Sequence, residues 1–150
     1  MGSRVLALDL GEKRIGLAVS DPEGLLASGR GVYLRRGLEE DLAYLERLVA
    51  EEGIGEVVLG LPQKMDGSLG PEAQGVLNFK ALLEERLKLP VALFDERLTT
   101  AEAERVLLEA DLSRRKRKGV RDELAAVLIL QGYLNARLRL RAQIRKEMSG

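Results

Sequence analysis

The chain has no cysteine and no histidine. Without cysteine there is no disulfide and no thiolate metal site. Without histidine, the Ser-His and Cys-His nucleophile systems, imidazole zinc sites and histidine general bases are all excluded. Carboxylates and lysines remain as candidate catalytic groups, and hard oxygen ligands favour Mg²⁺ or Mn²⁺. Aromatics are scarce, with two Phe, three Tyr and no Trp. Base stacking is therefore expected to be a minor mode, and nucleic-acid contacts should go mainly to the backbone. No apolar run reaches the length of a membrane span and no signal-peptide pattern opens the chain, so the expected location is the cytoplasm, with no membrane partner. Neither charge sign is in excess, with 24 Lys plus Arg against 24 Asp plus Glu. That argues against a uniformly positive surface but not against local patches. No repeat, low-complexity tract or long linker divides the 150 residues, and the length suits one domain over 1–150. Abundant Glu and Arg without Cys hint at a heat-adapted source.

What is present is organised around Val5-Leu6-Ala7-Leu8-Asp9-Leu10-Gly11. Apolar residues on both faces of Val5 to Leu8 read as a strand buried on two sides. It ends in Asp9, a carboxylate that is costly at the edge of an apolar strand unless a cation satisfies it. The chain turns through Gly11 to Arg14 and returns as a second strand, Ile15 to Val19. A third, shorter strand is expected over Gly29 to Leu34. Leucines at helical spacing, starting with Leu38, predict a helix from Leu38 to Glu52 with Gly53 as its stop. Glu56 to Gly60 reads as a short buried strand ended by Pro62. A polar loop, 63–70, then precedes a helix opened by Pro71, with Val76, Leu77, Leu83 and Leu87 on its buried side. Val91 to Phe94 is another short strand, running into Asp95-Glu96-Arg97. Thr99 and Glu102 have capping-box spacing for a helix to about Ala110. Ser113 to Gly119 is a basic loop, and from Asp122 the pattern is helical to at least Arg139. This order predicts an α/β fold: a mixed five-stranded sheet, order 3-2-1-4-5, with helices on both faces.

In that order, strands one, four and five are parallel and their carboxyl ends share an edge, where ligands sit in open α/β sheets. Asp9 ends strand one, Glu96 ends strand five and Asp122 opens the last helix. Strands one and five are two spacings apart, about 10 Å. Paired metals lie ~4 Å apart, with metal–oxygen bonds of ~2.1 Å, so carboxylates from both strands can hold a pair between them. Asp122 in a first helical turn would gain roughly 0.3–1 kcal/mol from the helix dipole. Bland roles compete at each position: a turn cap for Asp9, a helix N-cap for Asp122, an ion pair with Arg97 for Glu96. Periodicity does not choose Glu96 over Asp95, or Asp122 over Glu123. Alternation does place Asp95 and Glu96 on opposite faces, so one of that pair faces the site.

The run Arg114-Arg115-Lys116-Arg117-Lys118 directly precedes Asp122's helix, and Lys13 and Arg14 follow Asp9. Such runs are often only solvated loops, but positive charge beside a metal–carboxylate centre suits the phosphates of a polyanion. Lys64 and Arg97 complete the candidate phosphate contacts. Gly60-Leu61-Pro62 and Met65-Asp66-Gly67-Ser68 belong to a loop at the same edge, whose glycines permit close backbone approach. On spacing alone it reads as a crossover loop.

Together, Asp9 to Gly16, Gly60 to Pro62 with Met65 to Ser68, Asp95 to Thr100, and Asp122 through Ala125-Ala126 to Leu134 resemble the YqgF (RuvX) family of small ribonuclease H-like proteins. That family is described both as Holliday junction resolvase-like and as pre-16S rRNA processing nucleases. The resemblance covers nearly the whole chain in order. It implies a ribonuclease H-like sheet and a divalent-metal endonuclease using Mg²⁺ or Mn²⁺ in a two-metal site. It also implies Asp9, Glu96 and Asp122 as an acidic triad that is both catalytic and metal-binding, and a role in trimming the 5′ end of precursor 16S rRNA in ribosome biogenesis. Lys64 departs from the Asn common at that position. Branched DNA is the alternative substrate, and with it a homodimer rather than a monomer. An actin-like ATPase shares the strand-Asp-x-Gly feature but needs two related domains, and a non-catalytic nucleic-acid-binding module would not need three acids.

Overall fold

The computed structural model describes residues 3–64, 66–98 and 118–149. The helix expected over Thr99 to Ala110 and the basic residues Arg114, Arg115, Lys116 and Arg117 lie outside the described residues. For Lys118 only the backbone is described.

Strands β1 (Arg4–Leu10), β2 (Arg14–Ser20) and β3 (Ala27–Leu34) form an antiparallel meander. Helix α1 (Leu38–Glu52) crosses to β4 (Ile54–Leu61), and α2 (Pro71–Leu87) crosses to β5 (Val91–Asp95). Both β4 and β5 join in parallel, and the sheet order is β3-β2-β1-β4-β5, as expected from the sequence. A short 3₁₀ turn, Glu96–Leu98, follows β5, and α3 (Lys118–Ser149) closes the described chain.

The alternation of β1 divides the core. Leu6 and Leu8 face α1 and α2 with Leu45, Val57, Leu59, Phe79 and Leu83. Val5 and Ala7 face α3 with Ala18, Val58, Phe94, Ile129 and Leu130. A sheet covered on both faces accounts for the apolar run in β1. The boundaries of α1 match the expectation because its stop is local: Gly53 takes a left-handed conformation, φ 67°, and its N–H reaches the Val49 carbonyl. Arg35 and Asp41 add a partly buried ion pair at 2.9 Å beside the start of α1. Burial pushes the Asp41 carboxyl up, but the Arg36 N–H, Arg35 and Tyr33 outweigh it and hold the group below its usual range.

Four expectations need correction. β3 begins at Ala27 and is no shorter than its neighbours. Its start is set by Gln131 of α3, which accepts the Ala27 N–H at 3.0 Å and donates to the Leu25 carbonyl at 3.0 Å. β4 extends beyond Glu56–Gly60 at both ends. Leu38 is 47% exposed rather than packed, while on α2 Leu77 and Leu87 pack against the core as expected and Phe79, not anticipated, is buried in it. α3 starts at Lys118, so Asp122 lies in its second turn. The helix-dipole benefit expected for Asp122 falls off within the first turn and does not reach it. No described helix is long and apolar enough to cross a membrane.

Replacing Gln131 by Ala strips both backbone groups of their partner. The expected cost is about 1 kcal/mol in denaturant unfolding, with faster amide hydrogen exchange at Ala27 and unchanged exchange at Leu8 in the centre of the sheet.

Candidate active site

Asp9 stands near the carboxyl end of β1. It continues the Val5, Ala7 face and so points toward α3. Its partner across the ladder is Gly16. A Cβ at Gly16 would lie 2.0 Å from the Asp122 carbonyl oxygen, so the backbone of α3 rests directly on β2 at this point. The bare Cα thus brings Asp122 beside Asp9. The Asp9 carboxyl is pushed from its ordinary value up to about 6, first by burial and then by the charge of Asp122.

Glu96 arrives from the other side of β1. β5 pairs with β4 so that Phe94 lies opposite Gly60. A Cβ at Gly60 would sit 2.4 Å from Ile129 Cδ1 and 3.2 Å from the Glu96 carboxyl carbon. The missing side chain makes room for both. Glu96 is pushed up to about 7, first by burial, then by the charges of Asp9, Glu72 and Asp95. Asp9 and Glu96 are both partly buried carboxyls held above their usual range, Glu96 in part by the charge of Asp9, an arrangement concentrated at functional sites.

The neighbouring acids differ in the partners they bind. Asp95 takes the opposite face and binds the Arg97 guanidinium at 2.7 Å, which holds its carboxyl below the usual range. Arg97 therefore pairs with Asp95 rather than with Glu96. The Glu123 carboxylate accepts the Gly31 N–H of β3 at 2.6 Å and covers Gly29. At the rim, Asp9 is flanked by Glu96 on one side and Asp122 on the other. Among the described residues, no three acidic side chains stand close enough to enclose a single cation as placed. Asp9 is the shared neighbour of the other two.

A cleft of ≈ 820 Å³ opens from these carboxylates toward α2, lined by Asp9, Glu96, Glu72 and Arg35 over an apolar floor of Phe79 and Leu82. Sequence reasoning passed over two of these. Glu72 sits in the first turn of α2, and its charge contributes to the raised Glu96 pKa. Arg35 donates to the Gly11 carbonyl at 2.9 Å and lies 5.5 Å over the Phe79 ring, fixing the loop after Asp9. An arginine after a strand, here one of the pair Arg35-Arg36, carries no sequence signal for such a role. Of the expected cationic contacts, Lys13 is exposed and Arg14 partly buried at the β1–β2 turn, and Lys64 is exposed in the β4–α2 loop.

With this geometry in hand, comparison with known proteins is decisive. Residues 3–136 match the model of the RuvX family, described as Holliday junction resolvase. The chain belongs to the RuvX family. A RuvX relative from Syntrophomonas wolfei, named "Putative pre-16S rRNA nuclease", is 53% identical over 132 residues, 88% of this chain and 94% of that protein. One of the same name from Moorella thermoacetica is 54% identical over the same shares. Among solved structures, Thermus thermophilus RuvC in complex with a Holliday junction substrate is similar with a TM-score of 0.61 at 19% identity, covering 90% of this chain and 95% of that one. The fowlpox virus resolvase with Holliday junction DNA gives 0.56 at 11% identity, covering 90% and 99%. The fold of this RuvX chain is that of the RuvC-like, ribonuclease H-type resolvases.

Two outcomes follow from the crowding at the rim. Carboxyls whose folded pKa values exceed the unfolded ones favour the folded state at low pH and lose that advantage as pH rises from about 4 through about 6 to 7. In metal-free buffer, Asp9→Asn is therefore expected to stabilise the protein at pH 8, by about 1–2 kcal/mol, and to leave pH 4 stability nearly unchanged, as read by denaturant unfolding at both pH values. Gly16→Ala forces α3 off β2 and is expected to cost about 1–3 kcal/mol, with loss of whatever activity depends on Asp122.

Proposed function

We propose that this chain is a divalent-metal-dependent endonuclease that hydrolyses phosphodiester bonds in precursor 16S rRNA, acting as a single ribonuclease H-like domain with Asp9, Glu96 and Asp122 as its acidic triad. The observation that carries the reading is the pair of partly buried, mutually repelling carboxyls at the ends of β1 and β5, with Asp122 held against Asp9 by the contact at Gly16. The donor set fits Mg²⁺ or Mn²⁺. All its atoms are hard oxygens; Asp9, Glu96 and Asp122 would hold such a cation, whose charge would offset the burial of Asp9 and Glu96. When bound, such ions supply Lewis-acid stabilisation of the phosphate and lower the pKa of water, the two needs of phosphodiester hydrolysis.

The residues divide the rest of the work. Asp9, Glu96 and Asp122 offer carboxylate oxygens from three separate elements, so their positions are fixed by the sheet and not by one loop. Gly60 keeps the Glu96 carboxylate uncrowded, and Arg35 holds the Gly11 loop in place. The exposed Lys13 and Lys64, with Arg14 and the basic residues 114–118, neutralise substrate phosphates. The names carried by the relatives favour RNA. The family description favours a second reading, resolution of branched DNA by a symmetric dimer.

The test is side-by-side cleavage of precursor 16S RNA and a four-way DNA junction, with Mg²⁺ and with Mn²⁺. The wild type is expected to cut the RNA, and Asp9→Asn to lower that rate by about a thousandfold or more while retaining the native circular dichroism spectrum. An Asp9→Asn protein cutting at the wild-type rate would contradict the proposed triad. Preferential cutting of the junction would establish the second reading.

A further inference from the structure

Helix α3 does not stop where the body of the protein stops. Its last ties to the sheet are made by Tyr133 and Arg137, which both bind Glu56 of β4, Arg137 at 2.7 Å and Tyr133 through its hydroxyl. Leu138 is partly buried, and every residue from Arg139 to Ser149 is exposed. The family match ends at residue 136. The projecting arm carries Arg139, Arg141, Arg145 and Lys146 against a single acid, Glu147, in a chain whose overall formal charge is zero. At 100° per residue, Arg141 and Arg145 fall on the side that faces the sheet lower down the helix, and Arg139 and Lys146 fall on the opposite side. Leu140, Ile144 and Met148, 60%, 46% and 82% exposed, form a narrow row beside Arg141.

We propose that this arm, residues 139–149, is a second phosphate-backbone contact for RNA, remote from the catalytic rim. Cations on opposite sides of an isolated helix complement a polyanion that surrounds it or receives it in a groove. A helix lying on a membrane segregates its charges from a broad apolar face, and here the apolar row is narrow and has Arg141 beside it. At 1.5 Å per residue, Arg139 lies about 25 Å and Ser149 about 40 Å along the helix from Asp122. The arm therefore engages only substrates long enough to span that distance, and it adds affinity and placement without entering the chemistry. This inference rests on the nuclease reading only for the identity of the polyanion.

The test uses the full chain with Arg139, Arg141, Arg145 and Lys146 all replaced by Gln, which preserves helix propensity. Binding is measured in EDTA, so it does not depend on whether the rim cuts. For a 24-base-pair RNA hairpin the variant is expected to bind at least about tenfold more weakly, with the slope of log affinity against log salt reduced by about 2–3. For a six-base-pair hairpin, about 20 Å long, affinity is expected to stay unchanged. Equal affinity of both proteins for the long hairpin would overturn the proposal. So would a wild-type dimer that the substitutions dissociate, or wild-type binding to phosphatidylserine vesicles that they abolish, where RNA affinity is unaltered. If the arm proves to bind RNA but no substrate is cut, the proposed function fails and this inference stands.

Discussion

The structure depends on the burial of acidic side chains at the ends of apolar strands. Asp9 lies near the end of a strand whose centre is buried on both faces, and Glu96 stands one strand beyond its neighbour. Arg35 offsets Asp41 and Arg97 offsets Asp95, whereas burial dominates at Asp9 and Glu96 and holds both carboxyls above their usual range. An acid in such a place raises its own pKa and that of its neighbour. The chain tolerates this because the surrounding contacts are tight: a bare Gly16 under the backbone of α3, a bare Gly60 beneath Ile129 and Glu96, and Arg35 across the Gly11 loop. Stability is given up at the rim and recovered in the two apolar layers, which is how a functional site differs from a core.

Much of the fold was legible because its determinants are local. The apolar run before Asp9, the glycine that stops α1 and the proline that opens α2 each act on their own neighbourhood, and the strand order follows from short, right-handed connections. What escaped was decided at long range. β3 starts where Gln131 meets it, and no pattern within β3 records that. The choice of Glu96 over Asp95 turns on Arg97, and the choice of Asp122 over Glu123 on a backbone N–H of β3. Periodicity is blind to which partner each of these acids meets. The start of α3 was set too late because Lys118 to Arg121 contribute charge rather than an apolar repeat. Glu72 and Arg35 carried no signal at all, since each has meaning only beside residues from another element.

Helix α3 links the two ends of the molecule. Near its start, the backbone at Asp122 presses on β2 beside the candidate triad. In its middle, Ile129, Leu130 and Leu134 cover one face of the sheet. Beyond the Glu56–Tyr133–Arg137 cluster it leaves the body with a basic surface. One helix thus links the candidate triad, the packing of the sheet and the proposed second contact, with the distance between the two sites fixed by helical rise.

The central claim is that Asp9 and Glu96 are held ready to exchange protons for a divalent cation. Binding a metal to carboxyls poised at about 6 and about 7 must release protons near neutrality. The most direct measurement is the number of protons released on Mg²⁺ or Mn²⁺ binding at pH 6.5, obtained by calorimetry in buffers of different ionisation enthalpy. The account predicts release of about one proton per chain from the wild type, falling sharply in Asp9→Asn. Metal binding with no proton release, or release that Asp9→Asn leaves unchanged, would contradict it.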